Sequence, residues 1–491
     1  MNNKTLKAML QELSSIEKQM KLNADLLFHS GLSVTKNHLL SAQNLIHYLT
    51  LRNIDIRLLQ NELHNLGLSS LSSSESHILR QVQEIKKRLG FESKQGELSN
   101  LTATKATAIL HENKSRLFGN EDAGQLPIIM VTFDKTFSND YSFIKSLLLN
   151  GMSIARINCA HDDEVVWSAM IHHLKKACKK TGKSCKIYMD LAGPKIRTQI
   201  LSKKKHDKKV IEPGQLIWLT ENKKEVDDEH LSISPGVEGL LVQLRKGERV
   251  LIDDGLIQCE IESTHENKVG MRVVRVSKHK MKLKENKGIN FPDSELNIAA
   301  LTDFDVRCLP FIIQNADMIG YSFVKQSADL QLLNSEMNQV GNKKPYLIIK
   351  IETPQAVKNL PQLLLDGMQE ECFGVMIARG DLAVEIGFER TGEIQEEILW
   401  LCEAAHVPVI WATQVLESLN KSGLATRSEI TDAVHASAAD CIMLNKGPHT
   451  IETLETLKEI LKKSTEHKNK KRYLLRPLNI AGDYIKNLNA L

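Results

Sequence analysis

The sequence predicts an α/β protein: a closed eight-stranded β/α (TIM) barrel, a small antiparallel β-barrel lid domain inserted into it, and a helical domain that precedes it. Three observations support this fold class. After Leu126, eight short apolar runs alternate with stretches of helical periodicity, which is typical of parallel β/α units. A long β-rich segment interrupts the alternation after the third run. The chain has 491 residues, too many for one ordinary hydrophobic core.

The first part of the chain, residues 1–120, is predicted to form a helical N-terminal domain. Four apolar residues recur at the spacing of one helix face: Ile78, Val82, Ile85 and Leu89. Gly90 stands where a helix C-cap glycine would lie, and Ser72 with Glu75 has the spacing of a capping box that opens this helix. We interpret the region as an accessory domain that packs on the rest of the chain.

The eight apolar runs supply the predicted barrel strands, and each except the third is followed by a helix-like segment. The runs are LPIIMVTF, SIARINC, KIYMDLA, ADMIGYSF, PYLIIKIE, FGVMIAR, VPVIWAT and CIMLN. The insertion contains the patterns QLIWLT, GLLVQL, ERVLIDDGLIQCEIE and KVGMRVVRV, which predict a small β domain. The predicted parts are the helical extension (1–120), the barrel (121–198 and 287–470), the lid (199–286) and a C-terminal tail (471–491).

The composition excludes several classes of protein. With 42% apolar residues, 25% charged residues and a formal net charge of +4, the chain gives no indication of a nucleic-acid or membrane partner. Its eight cysteines are scattered without a CxxC pair, which fits reduced thiols better than disulfides or a zinc site. Residues 1–21 lack the apolar core of a signal peptide, and no apolar run is long enough to span a bilayer. We therefore expect a cytoplasmic protein.

Polar side chains gather at the C-terminal ends of the predicted strands, where β/α barrels build their active sites. In chain order they are Arg156 and Asn158, Asp190, Ser322, Lys350 and Glu352, Arg379 and Asp381, and Thr413. Three pairs have the i, i+2 spacing that puts both members on one face of a strand. Carboxylates beside lysine and arginine suit an anionic substrate with a divalent metal ion such as Mg²⁺. The alternative is a set of ion pairs that tie the barrel strands together.

Eight ordered segments carry a family resemblance: ARINCAH, DLAGPKIRT, ENKGINFP, SFVKQSADL, KIET, ARGDLAVE, ATQVLES and TRSEITDA. In this order they resemble the signature segments of the pyruvate kinase family. The similarity runs from about Leu126 to Asn445, and so many ordered motifs are far more specific than one short pattern. The resemblance implies an Mg²⁺-dependent phosphotransferase that converts phosphoenolpyruvate and ADP to pyruvate and ATP.

The resemblance also implies roles for individual residues in the transfer itself. Lys350 matches the lysine that stabilises the phosphoryl group in flight, and Arg156 matches an arginine that grips this group. Glu352 and Asp381 match the carboxylates that hold the divalent metal ion, Mg²⁺ or Mn²⁺.

Further matches concern the substrate and the nucleotide. The backbone N–H groups of Gly380 and Asp381 match those that receive the substrate carboxylate at a helix start. Thr413 matches the threonine beside the enol carbon, in the proton-transfer path. Arg197 matches an arginine at the nucleotide phosphates, and His161 a histidine near the nucleotide.

Two segments depart from the family pattern near the nucleotide. The family's Thr-Ile-Gly-Pro at the end of the first strand is TFDK here, at residues 132–135. Its Ser-Gly-Glu-Thr after the eighth strand is NKGP, at residues 445–448. The first change removes a proline beside the adenine, and the second alters a segment near the nucleotide phosphates.

The monovalent-cation site of the family is degenerate in this chain. Asn158 and Asp190 are kept, but Ala160 and Leu191 replace a serine and a threonine, and Lys195 stands where a glutamate is common. Family members with a lysine at this position often dispense with K⁺, so we expect no K⁺ requirement. The chain also ends soon after the eighth strand, so we expect no C-terminal regulatory domain and no activation by fructose bisphosphate.

Two other functions stay open at this point. A barrel with a Glu/Asp metal site also suits an Mg²⁺-dependent lyase or aldolase that stabilises a pyruvate enolate. A non-catalytic binding protein is the third possibility, in which the helical domain recruits a partner. The sequence leaves open the true phosphoryl acceptor, the direction of the reaction and whether the chain forms a homo-oligomer.

Overall fold

The computed structural model describes residues 3–29, 31, 33–91, 98–119, 126–201, 210–221, 226, 230–279, 281–341, 344–470 and 472–473. Five α-helices precede the barrel in this part of the chain. They are α1 (Asn3–His29), α2 (Leu39–Arg52), α3 (Arg57–Asn65), α4 (Ile78–Arg88) and α5 (Ala103–Phe118). The apolar faces of the first four belong to the same hydrophobic cluster as the helices and strands of the barrel. No described helix is long and apolar enough to cross a membrane.

The predicted end of α4 is confirmed. Gly90 has a φ of +89°, in the left-handed region that glycine adopts at low cost. Its N–H donates to the Lys87 carbonyl at 3.1 Å, and the N–H of Phe91 donates to the Lys86 carbonyl at 3.0 Å. These two bonds form a Schellman motif, which satisfies carbonyl groups that the last helical turn leaves free.

The predicted capping box at the start of α4 is wrong. The hydroxyl of Ser72 lies 3.0 Å from that of Ser70, and no side chain next to the helix caps it. The Oδ1 atom of Asn44, in α2, accepts the N–H of Ile78 at 3.0 Å instead. A long-range amide therefore does what the local Ser72–Glu75 pair was expected to do.

Three barrel strands follow the helices, and the inserted domain follows these strands. The three strands are β1 (Ile128–Thr132), β2 (Ile154–Asn158) and β3 (Lys186–Asp190). The described part of the insertion supplies nine strands: β4 (Gln199–Ile200), β5 (Val210–Ile211), β6 (Leu216–Thr220), β7 (Leu231–Ser234), β8 (Arg249–Ile252), β9 (Ile257–Thr264), β10 (Lys268–Val276), β11 (Met281–Lys282) and β12 (Ile289–Asn290). Seven of them form one sheet, in the order β12-β8-β9-β10-β6-β7-β4, and β5 pairs with β11.

The inserted domain has its own hydrophobic core, separate from that of the barrel. Its strand pairs are antiparallel, apart from the parallel pair β6/β7. The GLLVQL segment, whose pattern suggested a strand, forms a 3₁₀ turn at Leu241–Gln243. Leu240 and Leu244 beside this turn are buried, so the apolar pattern reflects burial around a turn and not strand alternation.

Five further strands complete the barrel after the insertion. They are β13 (Met318–Tyr321), β14 (Tyr346–Ile351), β15 (Phe373–Ala378), β16 (Val409–Ala412) and β17 (Cys441–Leu444). The eight parallel strands close in chain order, with β17 beside β1, which confirms the predicted β/α barrel. Because all strands run the same way, the ends that carry the predicted site residues share one mouth of the barrel.

The barrel is surrounded by the helices that connect its strands. They are α6 (Tyr141–Leu149), α7 (Glu164–Thr181), α8 (Asp303–Asn315), α9 (Ser327–Val340), α10 (Pro354–Lys358), α11 (Leu360–Gly367), α12 (Arg379–Ile386), α13 (Thr391–Ala404), α14 (Glu417–Ser422), α15 (Arg427–Ala436) and α16 (Thr450–Thr465). The exact domain boundaries stay a prediction. Most of the predicted tail, 471–491, lies outside the described residues.

The N-terminal end of the barrel is closed by α5. Leu117 and Phe118 are buried in a cluster with residues from the barrel interior, including Ile348 and Ile410. Gly374 in β15 makes this approach possible, because a Cβ atom there would lie 2.6 Å from the Leu117 side chain. The helical region therefore supplies part of the barrel's own core.

Buried polar groups join α2 to the loop that follows α13. The Nδ2 group of Asn44 donates to the Ala404 carbonyl at 2.8 Å. His406 is fully buried, with Nδ1 2.9 Å from the Ser41 hydroxyl and Nε2 2.8 Å from the Ser76 carbonyl oxygen. Since the carbonyl can only accept, Nε2 carries the hydrogen; because burial lowers the pKa of His406, the ring is otherwise unprotonated and Nδ1 accepts from Ser41. The interface thus holds a neutral histidine.

Two histidines of the helical region and its interface should make the stability of the protein sensitive to acid. Burial lowers the pKa of His406 to about 4, and burial, with a smaller effect of Lys21, lowers that of His47 to about 4. Between the unfolded value of 6.5 and about 4, the unfolded chain binds protons that the folded chain does not. The free energy of unfolding should therefore fall as pH drops through this window, by about 1.4 kcal/mol per pH unit for each histidine.

Urea unfolding at several pH values between about 7 and about 5 measures this dependence. His406→Asn should reduce the pH dependence of the unfolding midpoint, whereas His64→Asn, at an exposed position in α3, should leave it unchanged. An identical pH dependence in wild type and His406→Asn would contradict the assignment.

Candidate active site

The mouth of the barrel contains a cavity of about 130 Å³. Nine of the eleven predicted site residues line it: Arg156, Asn158, Asp190, Lys195, Arg197, Lys350, Glu352, Asp381 and Thr413. The other two lie beside it. Gly380 is next to Thr413, whose hydroxyl would lie 3.7 Å from a Cβ atom added to the glycine. His161 lines a larger adjoining cavity, together with Arg156 and Asn158.

Lys350 is the buried cation of the site, with only 7% of its surface exposed. Its Nζ donates to the Ser322 hydroxyl at 2.6 Å and lies 3.0 Å from Glu352 Oε1 and 3.3 Å from Asp190. Burial alone would lower the pKa of Lys350, but the charges of Asp190 and Glu352 raise it above its ordinary value. The side chain is therefore an ammonium at neutral pH.

Asp190 is the buried anion that joins the two main cations. Its Oδ2 accepts from Nη2 of Arg156 at 2.6 Å and from Nε at 3.0 Å, while Oδ1 accepts from the Tyr188 hydroxyl at 3.0 Å. Burial would raise the pKa of Asp190, but Lys350 and Arg156 bring it below its ordinary value. A fully ionised carboxylate thus holds both cations in position.

A glycine makes room for this cluster inside the barrel. Gly320 in β13 lies opposite Asp190 in β3. A Cβ atom at Gly320 would lie 1.9 Å from the Tyr188 hydroxyl and 2.4 Å from Asp190 Oδ1. Any other residue here would displace the tyrosine or the carboxylate.

Glu352, directly after β14, and Asp381, in α12, face the same cavity. The Oε2 atom of Glu352 accepts from the backbone N–H of Phe323 at 2.6 Å, in a turn where Phe323 has a φ of 57°. Burial, with a contribution from the charge of Asp381 and against that of Lys350, raises the pKa of Glu352. The negative charge of Asp381 is thus close enough to disfavour ionisation of Glu352.

These two carboxylates fit a divalent metal ion. Their oxygens are the donor type that Mg²⁺ and Mn²⁺ prefer, and a cation between them would relieve their mutual repulsion. Within the described residues, no group of three or more His, Cys, Asp or Glu side chains is arranged to hold a metal. The remaining ligands would therefore be substrate and water oxygens, as is usual for Mg²⁺.

Lys195 was predicted beside the degenerate monovalent-cation site. It lines the cavity with Asn158 and Asp190, but its Nζ lies 2.7 Å from Asp381 Oδ1. The Oδ1 atom of Asn158 accepts from the N–H of Ala160 at 3.1 Å. The ammonium group of Lys195 is therefore paired with Asp381, one of the two carboxylates that fit a divalent metal ion.

Thr413 has a backbone conformation that is rare for a threonine, with a φ of 67°. Arg379 supports this turn: its Nε donates to the Ala412 carbonyl at 3.1 Å, and it also donates to the Thr413 carbonyl. Asp432 pairs with the same guanidinium, which lies 4.6 Å from the centre of the Trp411 ring. The Thr413 hydroxyl is buried and has no hydrogen-bond partner among the residues that the structure describes, so it is available to a ligand in the cavity.

Three residues position the site without having been assigned a role from the sequence. Ser322 accepts from Lys350 and donates to the Leu191 carbonyl at 2.7 Å. Tyr188 orients Asp190, and Arg379 holds the Thr413 turn. Ser322 and Arg379 are polar residues at strand ends, and Tyr188 precedes Asp190 by two positions on the same strand face. The strand-end pattern therefore contained the signal for all three.

Comparison with known proteins gives a consistent result. The family model for the pyruvate kinase barrel domain matches residues 128–450. Pyruvate kinase from Thermotoga maritima is 32% identical over 334 residues, which cover 67% of this chain and 68% of that protein. The Bacillus licheniformis enzyme is 32% identical over 338 residues (67% and 56%), and that of Dictyostelium discoideum is 32% identical over 344 residues (69% and 66%). The chain spans between 56% and 68% of the length of these relatives.

The contacts of Asp381 lead to a prediction about metal binding. Glu352→Gln and Asp381→Asn should each weaken Mn²⁺ binding, because each removes an anionic ligand oxygen. Lys195→Met should strengthen it, because the metal no longer has to displace the ammonium from Asp381. Electron paramagnetic resonance of free Mn²⁺ measures the affinity in the absence of any substrate.

Lys463→Met is a suitable control, since this lysine pairs with Glu459 on the exposed face of α16. Unchanged Mn²⁺ affinity in both carboxylate variants would mean that Glu352 and Asp381 are structural. Weaker binding in Lys195→Met would show that the ammonium does not compete with the metal.

Proposed function

The chain belongs to the pyruvate kinase family, and from this premise we propose that it transfers a phosphoryl group from phosphoenolpyruvate to ADP, giving pyruvate and ATP. The observation that carries the proposal is the buried Lys350–Asp190–Arg156 cluster at the mouth of the barrel. It holds two cations side by side where an anionic substrate would enter. Such a site suits the transfer of a group whose negative charge must be neutralised.

The proposed reaction needs positive charge around the migrating group. An oxygen of the terminal ADP phosphate attacks the phosphorus, and the bond from phosphorus to the enol oxygen breaks. Lys350 and Arg156 are held near this path by Asp190, so they need little reorganisation when charge develops. A divalent ion held by Glu352 and Asp381 would, when bound, neutralise further phosphate and enolate charge.

The enolate that leaves must gain a proton on carbon to become pyruvate. We assign Thr413 to this path; the assignment is supported by its buried hydroxyl, which lines the cavity and has no hydrogen-bond partner among the described residues. The N–H groups of Gly380 and Asp381 lie in the first turn of α12, where a helix favours a carboxylate. We assign the substrate carboxylate to this turn.

Arg197 and His161 are proposed to face the nucleotide. Arg197 lines the 130 Å³ cavity, and His161 lines the adjoining cavity of about 460 Å³. Arg156 and Asn158 line both cavities. This connection supports a bound acceptor that reaches from the larger cavity to the phosphoryl group in the smaller one.

We further infer that the protein works in the cytoplasm on small-molecule substrates, without nucleic acid or membrane. No disulfide joins any of the eight cysteines, all of which lie in the described part of the chain, and this supports a reducing compartment. A homo-oligomer is compatible with this proposal.

A coupled assay with phosphoenolpyruvate, Mg²⁺ and a panel of nucleoside diphosphates tests the function. Pyruvate and nucleoside triphosphate should form in equal amounts. A pyruvate-enolate lyase or aldolase would form or consume pyruvate without any nucleotide, and a non-catalytic binding protein would bind phosphoenolpyruvate without turnover. Either result would overturn the phosphotransferase proposal.

Removal of the buried cation should impair catalysis more than binding. Lys350→Met should lower turnover by roughly 10²–10³-fold, as for the loss of one preorganised charge contact. The KM for phosphoenolpyruvate should change much less, because Arg156 remains. Steady-state kinetics beside the Lys463→Met control measure both parameters. Equal turnover in Lys350→Met and wild type would refute the role of Lys350.

The internal ammonium should make the activity nearly independent of K⁺. Ala160 supplies no side-chain oxygen for a monovalent cation, and Lys195 brings a permanent positive charge into the same cavity. Activity should therefore stay constant when K⁺ replaces tetramethylammonium at constant ionic strength. A several-fold rise with K⁺ would contradict the internal-cation hypothesis.

A further inference from the structure

The two segments in which the chain departs from the family pattern lie against each other. Residues 132–135 end β1 and residues 445–448 follow β17, and these strands are neighbours in the barrel. Lys446 Nζ lies 3.3 Å from Asp134 Oδ2. A lysine and an aspartate thus stand at two positions where the family pattern has glycine, and they form an ion pair.

This ion pair stands at the wall of the 460 Å³ cavity. Asp134 and Lys446 line it together with Arg156, Asn158 and His161. Burial lowers the pKa of His161, and the positive charges of Arg197 and Lys446 lower it further. The charge of Lys446 therefore acts on the same space as Arg197 and His161, the two residues already assigned to the acceptor.

The two partners of the ion pair differ in freedom. Asp134 is fixed, because its Oδ1 accepts the backbone N–H of Thr136 at 2.9 Å and the hydroxyl of the same residue. The Lys446 side chain is 55% exposed and ends a flexible stem. An ion pair between partly exposed groups is weak, so an anion with more than one charge can take the lysine from Asp134.

We propose that Lys446 is a phosphate-binding residue for the diphosphate chain of the acceptor, and that Asp134 holds this lysine until the acceptor binds. This inference rests on the proposed function, because it concerns how the same site takes its second substrate. In this proposal Lys446 supplies a phosphate contact from the segment that stands in place of the family's Ser-Gly-Glu-Thr. The recognised group is the diphosphate, so the base and ribose do not contribute to the effect of Lys446.

Calorimetric titration of ADP into the 491-residue chain tests the proposal. Lys446→Met should weaken ADP binding by about tenfold, a modest value for a charge-assisted contact at a half-exposed site. Inorganic pyrophosphate should lose affinity by the same factor, and adenosine should lose none. Lys463→Met is the control for removal of a surface lysine, and it should leave all three affinities unchanged.

Asp134→Asn separates phosphate binding from a structural role. The asparagine Oδ1 can still accept the Thr136 N–H, so the turn is kept while the charge that holds Lys446 is removed. This variant should bind ADP several-fold more tightly than wild type. In the double variant with Lys446→Met the gain should disappear, because there is no lysine left to release.

The outcomes distinguish this inference from the proposed function. The role of Lys446 would be overturned if Lys446→Met left the affinities for ADP and pyrophosphate unchanged. It would also be overturned if Asp134→Asn raised the ADP affinity equally with and without Lys446. In both cases the proposed function would stand as long as the protein binds and turns over phosphoenolpyruvate. An equal loss of affinity for adenosine and ADP in Lys446→Met would also overturn the role of Lys446, because it would indicate a general distortion of the cavity. If wild type bound neither ADP nor phosphoenolpyruvate, both proposals would fall.

Discussion

The buried charge cluster of Asp190, Arg156 and Lys350 is the constraint on which the site depends. Charges in a protein interior are tolerated only when they are paired and hydrogen-bonded, and each of these three is. Several other residues meet that condition. Tyr188 donates a hydrogen bond to the carboxylate of Asp190, and Ser322 accepts one from Lys350. Gly320 leaves space for the tyrosine and the carboxylate. Since β2, β3, β13 and β14 each contribute a residue, the site exists only when these four neighbouring strands have paired. Fold and site are therefore formed together.

The sequence predicts the barrel and the place of the site because both follow from repeated, local patterns. Apolar runs that alternate with helical segments fix the topology, and the topology brings Arg156, Lys350 and Thr413 to one mouth. Patterns that arise from distant contacts are not predicted. Asn44 caps a helix that starts 34 residues later, and Lys195 pairs with Asp381, 186 residues away. No local rule distinguishes these partners from other polar residues.

Two segments whose local structure the sequence predicts wrongly, GLLVQL and the Ser72–Glu75 pair, also depend on contacts outside the segment. Burial of Leu240, Leu241 and Leu244 around a turn gives an apolar pattern that resembles a strand. In Ser72 and Glu75 the spacing of a capping box is present, but the backbone at Ile78 is satisfied by a side chain from another helix. Spacing states what a segment can form, and the tertiary partners decide which of these possibilities is used.

The closure of the barrel floor by α5 limits how this architecture can be divided. Leu117 and Phe118 fill the end of the barrel, and the absence of a side chain at Gly374 leaves room for the leucine. A deletion that starts the chain at β1 would expose an apolar opening and remove part of the core, so an expression fragment of the barrel alone would be prone to aggregation. The helical region cannot be a detachable module, and any recruitment of other molecules by it would have to use its outward face.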